Sequence, residues 1–313
     1  MDGFVIDVPK PLRWFLVNVV IVPRRKVQSA RAYQKVQLPG GSPLLVYTRE
    51  LAEQVAARLT REGRYVVEYA MRYGNPSIAS ALARLNSPDV ARIIVVPLYP
   101  QYAESSVETA MVETRRVARE LGCAGRLSFV PPFYDRPEFI AACARRIAET
   151  HEKEPADHVV FSFHSLPERH LKRLDETKQH CQVKSDCCDQ ISAVNQNCYR
   201  AQCMFTARAI AARLGLKSDN YTVSFQSRLG RAKWIGPTTE LVLRDLAQRG
   251  EKRVAVSCPS FVADCLETVE EIGIRGRQTF IDAGGEDLYL IPSLNADPAW
   301  VETVANWIRE VEE

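Results

Sequence analysis

The sequence predicts an α/β fold made of two Rossmann-like, doubly wound halves with parallel sheets. Three observations predict it. Short β-branched runs alternate with segments whose apolar residues recur at helical spacing. The chain has 313 residues, 46% hydrophobic and 25% charged, enough for two halves of roughly 150 residues each. Alternation of this kind gives parallel strands with helices on both faces of each sheet.

From the N-terminus, the acids Asp2 and Asp7 and the absence of a cleavable apolar region argue against export. The apolar stretch Arg13 to Pro23 has about half the length that a bilayer span requires. It suits a membrane surface or a greasy pocket, or else a core helix. The strand-like runs are Tyr65–Tyr69, Arg92–Pro97, Arg126–Val130, His158–Phe163, Thr222–Gln226, Arg253–Cys258 and Leu288–Ile291. Helix-period segments lie between them at Arg49–Arg61, Val107–Leu121, Pro137–Glu149, Ala201–Leu214 and Thr238–Arg249. The division falls near residue 150, giving halves 1–150 and 151–313. The first half has three runs against four and opens with helix-like sequence, so we expect it to lack its N-terminal strand, which is normally interior in such sheets.

Charge excludes little beyond nucleic acid. Forty-one basic and thirty-eight acidic side chains give a net charge of +3, with no basic tail. Nine cysteines without an export signal point to metal or catalysis in a reducing cytoplasm, not to disulfides. Five of them fall between His180 and Cys203.

In doubly wound folds, ligands sit beyond the carboxyl ends of the strands. The residues there are Pro97-Leu-Tyr-Pro-Gln-Tyr102, His164-Ser-Leu-Pro167, Gln226-Ser-Arg-Leu-Gly230 with Lys233-Trp-Ile-Gly-Pro237, and Cys258 through Thr268. Aromatic side chains, His164 and Glu267 therefore converge on one rim. Position alone leaves His164 open as a hydrogen-bonded core residue, and Glu267 as an acid favouring a helix N-terminus. Together they form a nitrogen and oxygen pair able to hold a divalent metal or take protons from a substrate nitrogen. The chain contains neither a P-loop nor a G-x-G-x-x-G fingerprint, so nucleotide chemistry is not indicated.

These motifs, together with Gly41-Ser-Pro-Leu-Leu-Val-Tyr47, Arg72-Tyr73, Phe225-Gln-Ser-Arg228, Asp264-Cys-Leu-Glu-Thr268 and Tyr199-Arg-Ala-Gln-Cys203, resemble those of the ferrochelatase family across nearly the whole chain. The resemblance implies a class II chelatase-like fold and insertion of Fe²⁺ into protoporphyrin IX, two pyrrole protons being removed to give protohaem. It implies His164 and Glu267 as catalytic, iron-binding residues. Arg24, Arg25, Ser42, Tyr73, Tyr102, Ser165, Gln226 and Trp234 are implied at the porphyrin. It also implies an apolar lip before Arg24 that meets a membrane peripherally from the cytoplasmic side. Coproporphyrin as substrate, cobalt or nickel as metal, and an inactive iron- or redox-sensing module are the alternative readings. Oligomeric state is not readable.

Family members differ at the cysteine segment, 180–203. Some bacterial ones carry a [2Fe-2S] cluster there, which four thiolates suffice to hold. Five thiols compete, and we favour Cys181, Cys188, Cys198 and Cys203, with Cys187 as the alternative to Cys188. A structural zinc is the competing reading, against which stands the lack of paired C-x₂-C spacing. Cys123, Cys143 and Cys258 read as small buried hydrophobes.

Overall fold

The computed structural model describes residues 3–6, 8–60, 64–182, 186–228, 230 and 232–312. Asp2, Asp7, Arg61 and Leu229, named above, lie outside the described residues. The chain opens with α1 (Lys10–Phe15), a π-helical stretch (Leu16–Ile21) and α2 (Val22–Val36). Leu12, Trp14, Phe15, Val19, Val22 and Val27 on this arm are exposed. The core-helix alternative for Arg13–Pro23 is therefore overturned, since no residue of α1 or the π stretch is buried. No helix among the described residues is long and apolar enough to cross a membrane.

Next come α3 (Pro43–Leu59) and α4 (Ile78–Leu85), then β1 (Ile93–Val95). Ser42 and Ser77 cap the two helices, each accepting a backbone N–H three residues on. A second π stretch (Glu104–Glu108) leads into α5 (Thr109–Glu120), followed by β2 (Leu127–Phe129) and α6 (Pro137–Lys153). Strands β1 and β2 pair in parallel, Ile94 opposite Ser128. The run Tyr65–Tyr69, expected as a strand, belongs to no ladder. Among the described residues no strand offers it backbone partners, and Tyr65 and Val67 are held by side-chain packing on the main core.

The second half follows its expected pattern closely. It contains β3 (His158–His164), α7 (Glu168–Leu174), α8 (Tyr199–Arg213), β4 (Tyr221–Gln226), α9 (Thr239–Gln248) and β5 (Arg253–Ser257). A third π stretch (Glu267–Gly276), α10 (Arg277–Asp282), β6 (Asp287–Leu290) and α11 (Pro298–Glu312) complete it. The four strands form one parallel sheet in the order β4-β3-β5-β6. Its centre, β3, is buried from His158 to Phe163, its Val159, Val160, Phe161 and Phe163 packed in the core and its His158 and Ser162 hydrogen-bonded to Thr222 and Gln226. The chain leaves β3 toward β4 on one side and returns with β5 on the other, so the crevice between the ends of β3 and β5 is the topological switch point.

One core spans both halves. Helix α11 packs on α3, α6 and β1, and α6 packs on α8. An aromatic cluster ties these elements together: Phe133 lies 5.2 Å from Phe139 and 4.8 Å from Trp307, with Trp300 5.4 Å from Trp307, measured between ring centroids. The residue 150 division falls inside α6.

Candidate active site

His164 is the last residue of β3, half-buried, in register with Gln226 on β4. Its Nδ1 lies 2.6 Å from the carbonyl oxygen of Ser165. A carbonyl only accepts, so Nδ1 carries the hydrogen, and in the neutral ring Nε2 keeps the lone pair. That lone pair is the group a base or metal ligand needs. The ring stands edge-on to Phe261, 6.3 Å between centroids.

Glu267 opens the π stretch that follows β5, and the link to His164 runs through Gln226. The Gln226 amide donates from Nε2 to the Glu267 carbonyl at 2.7 Å, and its Oε1 accepts from Ser162 Oγ at 2.6 Å. A buried glutamine beside the histidine thus fixes the start of the acid-bearing segment. Three further acids on or near it are engaged with partners. Glu270, buried, pairs with Arg275 at 2.8 Å and with Lys35 of α2 at 3.9 Å. Glu271 accepts from Ser227 N at 2.8 Å and Ser227 Oγ at 2.6 Å. Asp264 accepts from Thr268 Oγ1 at 3.0 Å and Asn295 Nδ2 at 2.8 Å.

The residues expected at the porphyrin fall into two groups. Ser165 and Gln226 have their side chains engaged inside the protein: Ser165 Oγ donates to Ile235 O at 2.8 Å. This bond, the Ile235 N–H to Leu166 O at 2.9 Å and the bridge between Pro167 and Trp234 hold the Trp234 segment against the loop after His164. Trp234 is half-buried, and Tyr73 is exposed with the Arg72 guanidinium 4.6 Å from its ring centre. Arg72 in turn donates to Thr109 Oγ1 at 2.8 and 3.0 Å. The Tyr102 hydroxyl meets Glu108 Oε2 at 3.4 Å, and burial, then the Glu108 and Glu104 carboxylates, push it up to about 12, so it stays a neutral phenol. Ser42 is the cap of α3, while Arg24 and Arg25 are exposed on α2.

Two further residues bear on Glu267, and one of them, Tyr33, has no sequence signal of its own. Tyr33 of α2, exposed at its surface, is raised by the partial burial of its hydroxyl end and then by the Glu267 carboxylate. The Cys265 thiol is raised by burial and hydrogen-bonds Glu267. Tyr33 is eight residues after Arg25, and only the docking of α2 on the third π stretch brings it here.

The cysteine segment is a separate constellation. The thiol of Cys198 contacts those of Cys181 and Cys188, and Cys188 Sγ lies 3.7 Å from Cys187 Sγ. Arg200 donates to Cys188 Sγ at 3.1 Å. Cys203 is buried deeper, against the Tyr199 hydroxyl, and burial raises its thiol well above the ordinary range. All nine cysteines are free thiols. Among the described residues no group of three or more His, Cys, Asp or Glu side chains closes around a metal position, so the four thiols touch in a chain, pair by pair.

Polar side chains hold this segment. Asp175 accepts from Thr177 N, Thr177 Oγ1, His180 N and Cys181 N at 2.6–3.1 Å. Asn195 donates to Cys187 O and Gln190 O at 2.9 and 2.8 Å and accepts from Ser192 N at 2.6 Å. Arg208 donates to Cys188 O and Asp189 O at 3.0 and 2.8 Å.

Comparison with known proteins completes the picture. Among solved structures, SirB from Bacillus subtilis with Fe³⁺ superposes with a TM-score of 0.56 at 15% identity, covering 87% of this chain and 92% of that one. CbiX, the terminal enzyme of sirohaem biosynthesis in denitrifying bacteria, superposes with a TM-score of 0.53 at 15% identity, over 86% and 95% of the two chains. These similarities establish the fold: α/β with parallel sheets, as in class II chelatases. In sequence, the chain is 49% identical to a ferrochelatase of Stutzerimonas stutzeri (strain A1501) over 97% of its length and 88% of that protein's. It is 50% identical to a ferrochelatase of Azotobacter vinelandii over 99% of its length and 90% of that protein's. The ferrochelatase family model matches residues 1–312. With the switch-point histidine, the acid-bearing π stretch and this match over essentially its full length, the chain belongs to the ferrochelatase family.

Proposed function

We propose that the protein inserts Fe²⁺ into protoporphyrin IX, with His164 and Glu267 as the reacting groups. The observation that carries this assignment of residues is the tie from His164 to Glu267 through Gln226 at the switch point, with Nε2 of His164 bearing the lone pair. A flat porphyrin must surrender two pyrrole protons and tilt a nitrogen lone pair toward the metal. His164 Nε2 and the Glu267 carboxylate each accept one of the two pyrrole protons, and Fe²⁺ takes the place of both. Tyr73, Tyr102 and Trp234 contribute aromatic walls. Such walls impose distortion of roughly 1–5 kcal/mol, drawn from binding elsewhere on the macrocycle. Arg24 and Arg25 suit the propionates through charge-assisted bonds, and Ser42, Ser165 and Gln226 shape the surrounding backbone.

The halves 1–150 and 151–313 each contribute a sheet in this reading, and the exposed apolar face of the N-terminal arm contacts a membrane surface from the cytoplasmic side. An anaerobic assay with protoporphyrin and Fe²⁺ tests the activity: haem formation is expected, and none would bring the assignment down.

For the cysteine segment we propose a [2Fe-2S] cluster. The donor set fits, because four thiols lie in continuous contact beside the apolar side chains of Ala201, Ile191 and Met204. Cys181, Cys188 and Cys198 remain in the proposed set. What supports Cys187 in place of Cys203 is the direct Cys187–Cys188 contact and the engagement of Cys203 with Tyr199. When bound, the cluster supplies one-electron chemistry. The chain's own part is to hold four thiolates: contact with Cys198 and burial raise the Cys188 thiol, and the Arg200 guanidinium 3.1 Å away works against that rise. Iron and acid-labile sulfide in equal amounts, without zinc, are expected in the anaerobically purified protein. Zinc alone would favour a structural site.

A further inference from the structure

The switch point leaves one backbone donor of the reacting histidine without a strand to pair with. Just past β3, the Ser165 N–H points to β4, donating to Gln226 O at 2.7 Å. Alternation along a strand directs the His164 N–H to the opposite side, toward β5. The β3–β5 ladder ends at Phe161 and Ser257, because the two strands part there to open the crevice. A buried N–H without a partner costs free energy comparable to a lost hydrogen bond.

Two hydroxyls take the place of the missing ladder carbonyl. Ser260 Oγ accepts from His164 N at 3.4 Å, and the Tyr199 hydroxyl lies 3.0 Å from Ser260 Oγ and also meets the same N–H. Tyr199 is buried, and its phenol hydroxyl can both donate and accept. Each hydroxyl has one hydrogen and two lone pairs, enough to bond the other and still receive the histidine N–H. Phe261, next to Ser260, is the residue whose ring meets the imidazole.

We propose that Tyr199, acting with Ser260, is a positioning residue for His164. The hydroxyl pair fixes the backbone where the imidazole leaves the strand, while the Nδ1 bond to Ser165 O fixes the ring. Tyr199 is the first residue of α8 and follows Cys198 directly. The start of α8 therefore sets a thiol of the cysteine segment and the anchor of His164 on consecutive residues. This inference rests on His164 as the reacting base.

The test compares the unsubstituted protein with Tyr199→Phe, Ser260→Ala, Ser260→Thr and the Tyr199→Phe/Ser260→Ala double variant. Tyr199→Phe and Ser260→Ala are each expected to lower kcat about tenfold, with the porphyrin KM within about twofold, since a small misplacement of a reacting group costs rate more than binding. Ser260→Thr, which keeps the hydroxyl, stays within about threefold of the unsubstituted rate. The double variant falls no more than about twofold below the slower single one, because residues acting as a unit are not additive. An unchanged kcat in Tyr199→Phe, or losses that multiply in the double variant, would overturn the proposal.

Amide exchange at His164 reads the same geometry without turnover. It is expected to quicken about tenfold in the double variant as the N–H loses both acceptors. Unchanged exchange defeats the proposal on its own, whereas an unsubstituted protein that inserts no iron defeats the assignment of His164 as base. The two failures are thereby separable.

Discussion

The rim around His164 and the cysteine segment meet at the start of α8, where Tyr199 follows Cys198, yet they are held by different means. The rim is fixed chiefly by backbone: strand ends, a parallel register and carbonyls that orient His164 and Ser165. Among the described residues the cysteine segment joins no ladder. Asp175, Asn195 and Arg208 hold it by reaching from side chain to backbone. A site built on strand ends inherits its geometry from the fold, while a site in an irregular loop depends on a few polar side chains, each of which can be removed singly.

The widest separation of the two regions comes from His164→Ala. It is expected to reduce iron insertion by about 10³-fold, within the range for losing an acid–base group, while any visible absorbance of the cluster proposed for the cysteine segment stays unchanged. Steady-state rates and absorbance on the same sample check this, and joint loss would mean that the two regions are not independent.

Asn195→Ala probes the other side. It removes the acceptor of Ser192 N and the donor to two carbonyls in a buried place, at about 2 kcal/mol. Amide exchange in residues 187–198 should quicken accordingly while exchange along β3 does not.

Gln226→Leu sharpens the comparison within the rim, for here a side chain does what backbone does elsewhere. The Glu267 carbonyl loses its donor, and a drop of about tenfold in kcat is expected, with Fe²⁺ dependence altered more than porphyrin binding.

The smallest effect is acid sensitivity. Hydrogen bonds led by the Thr177 hydroxyl, with the Cys181, His180 and Thr177 N–H groups, hold the Asp175 carboxyl well below the usual carboxylate range. A depressed carboxylate contributes its full stabilisation above the unfolded aspartate value of about 4. That contribution is lost as pH falls through the folded value. Protection of the Cys181 amide should therefore persist at neutral pH and decline only in strong acid, whereas Asp175→Asn should show weaker protection and no such decline.

Much of this was legible in the sequence because it depends on periodicity. The runs at 158–163, 222–226, 253–258 and 288–291 form strands within a residue or two of their expected bounds. His164 was reachable as the residue that ends a buried run. Tyr65–Tyr69 has the same β-branched composition, but a strand is defined by its neighbour's hydrogen bonds, which composition does not encode. Tyr33 and Tyr199 were illegible as neighbours of the site for a related reason. Each sits in a helix whose docking decides what its hydroxyl meets. Adjacent cysteines 187 and 188 carry no local pattern that separates them, and only their contacts distinguish them from Cys203. Gln226 could be read as facing the porphyrin, since a strand end points both into the crevice and beneath it, and its rotamer turns it beneath.

The aromatic cluster of Phe133, Phe139, Trp300 and Trp307 has a consequence for how the molecule comes apart. Its rings come from the segment before β3 and from the last helix, so residues separated by the entire catalytic sheet close a single interior. Neither half can be peeled away without exposing indole and phenyl surface that the other covers. Heating should accordingly melt the chain in one cooperative step, and a backbone nick in the connection between α6 and β3 would leave two pieces bound to each other by their shared tryptophan interior.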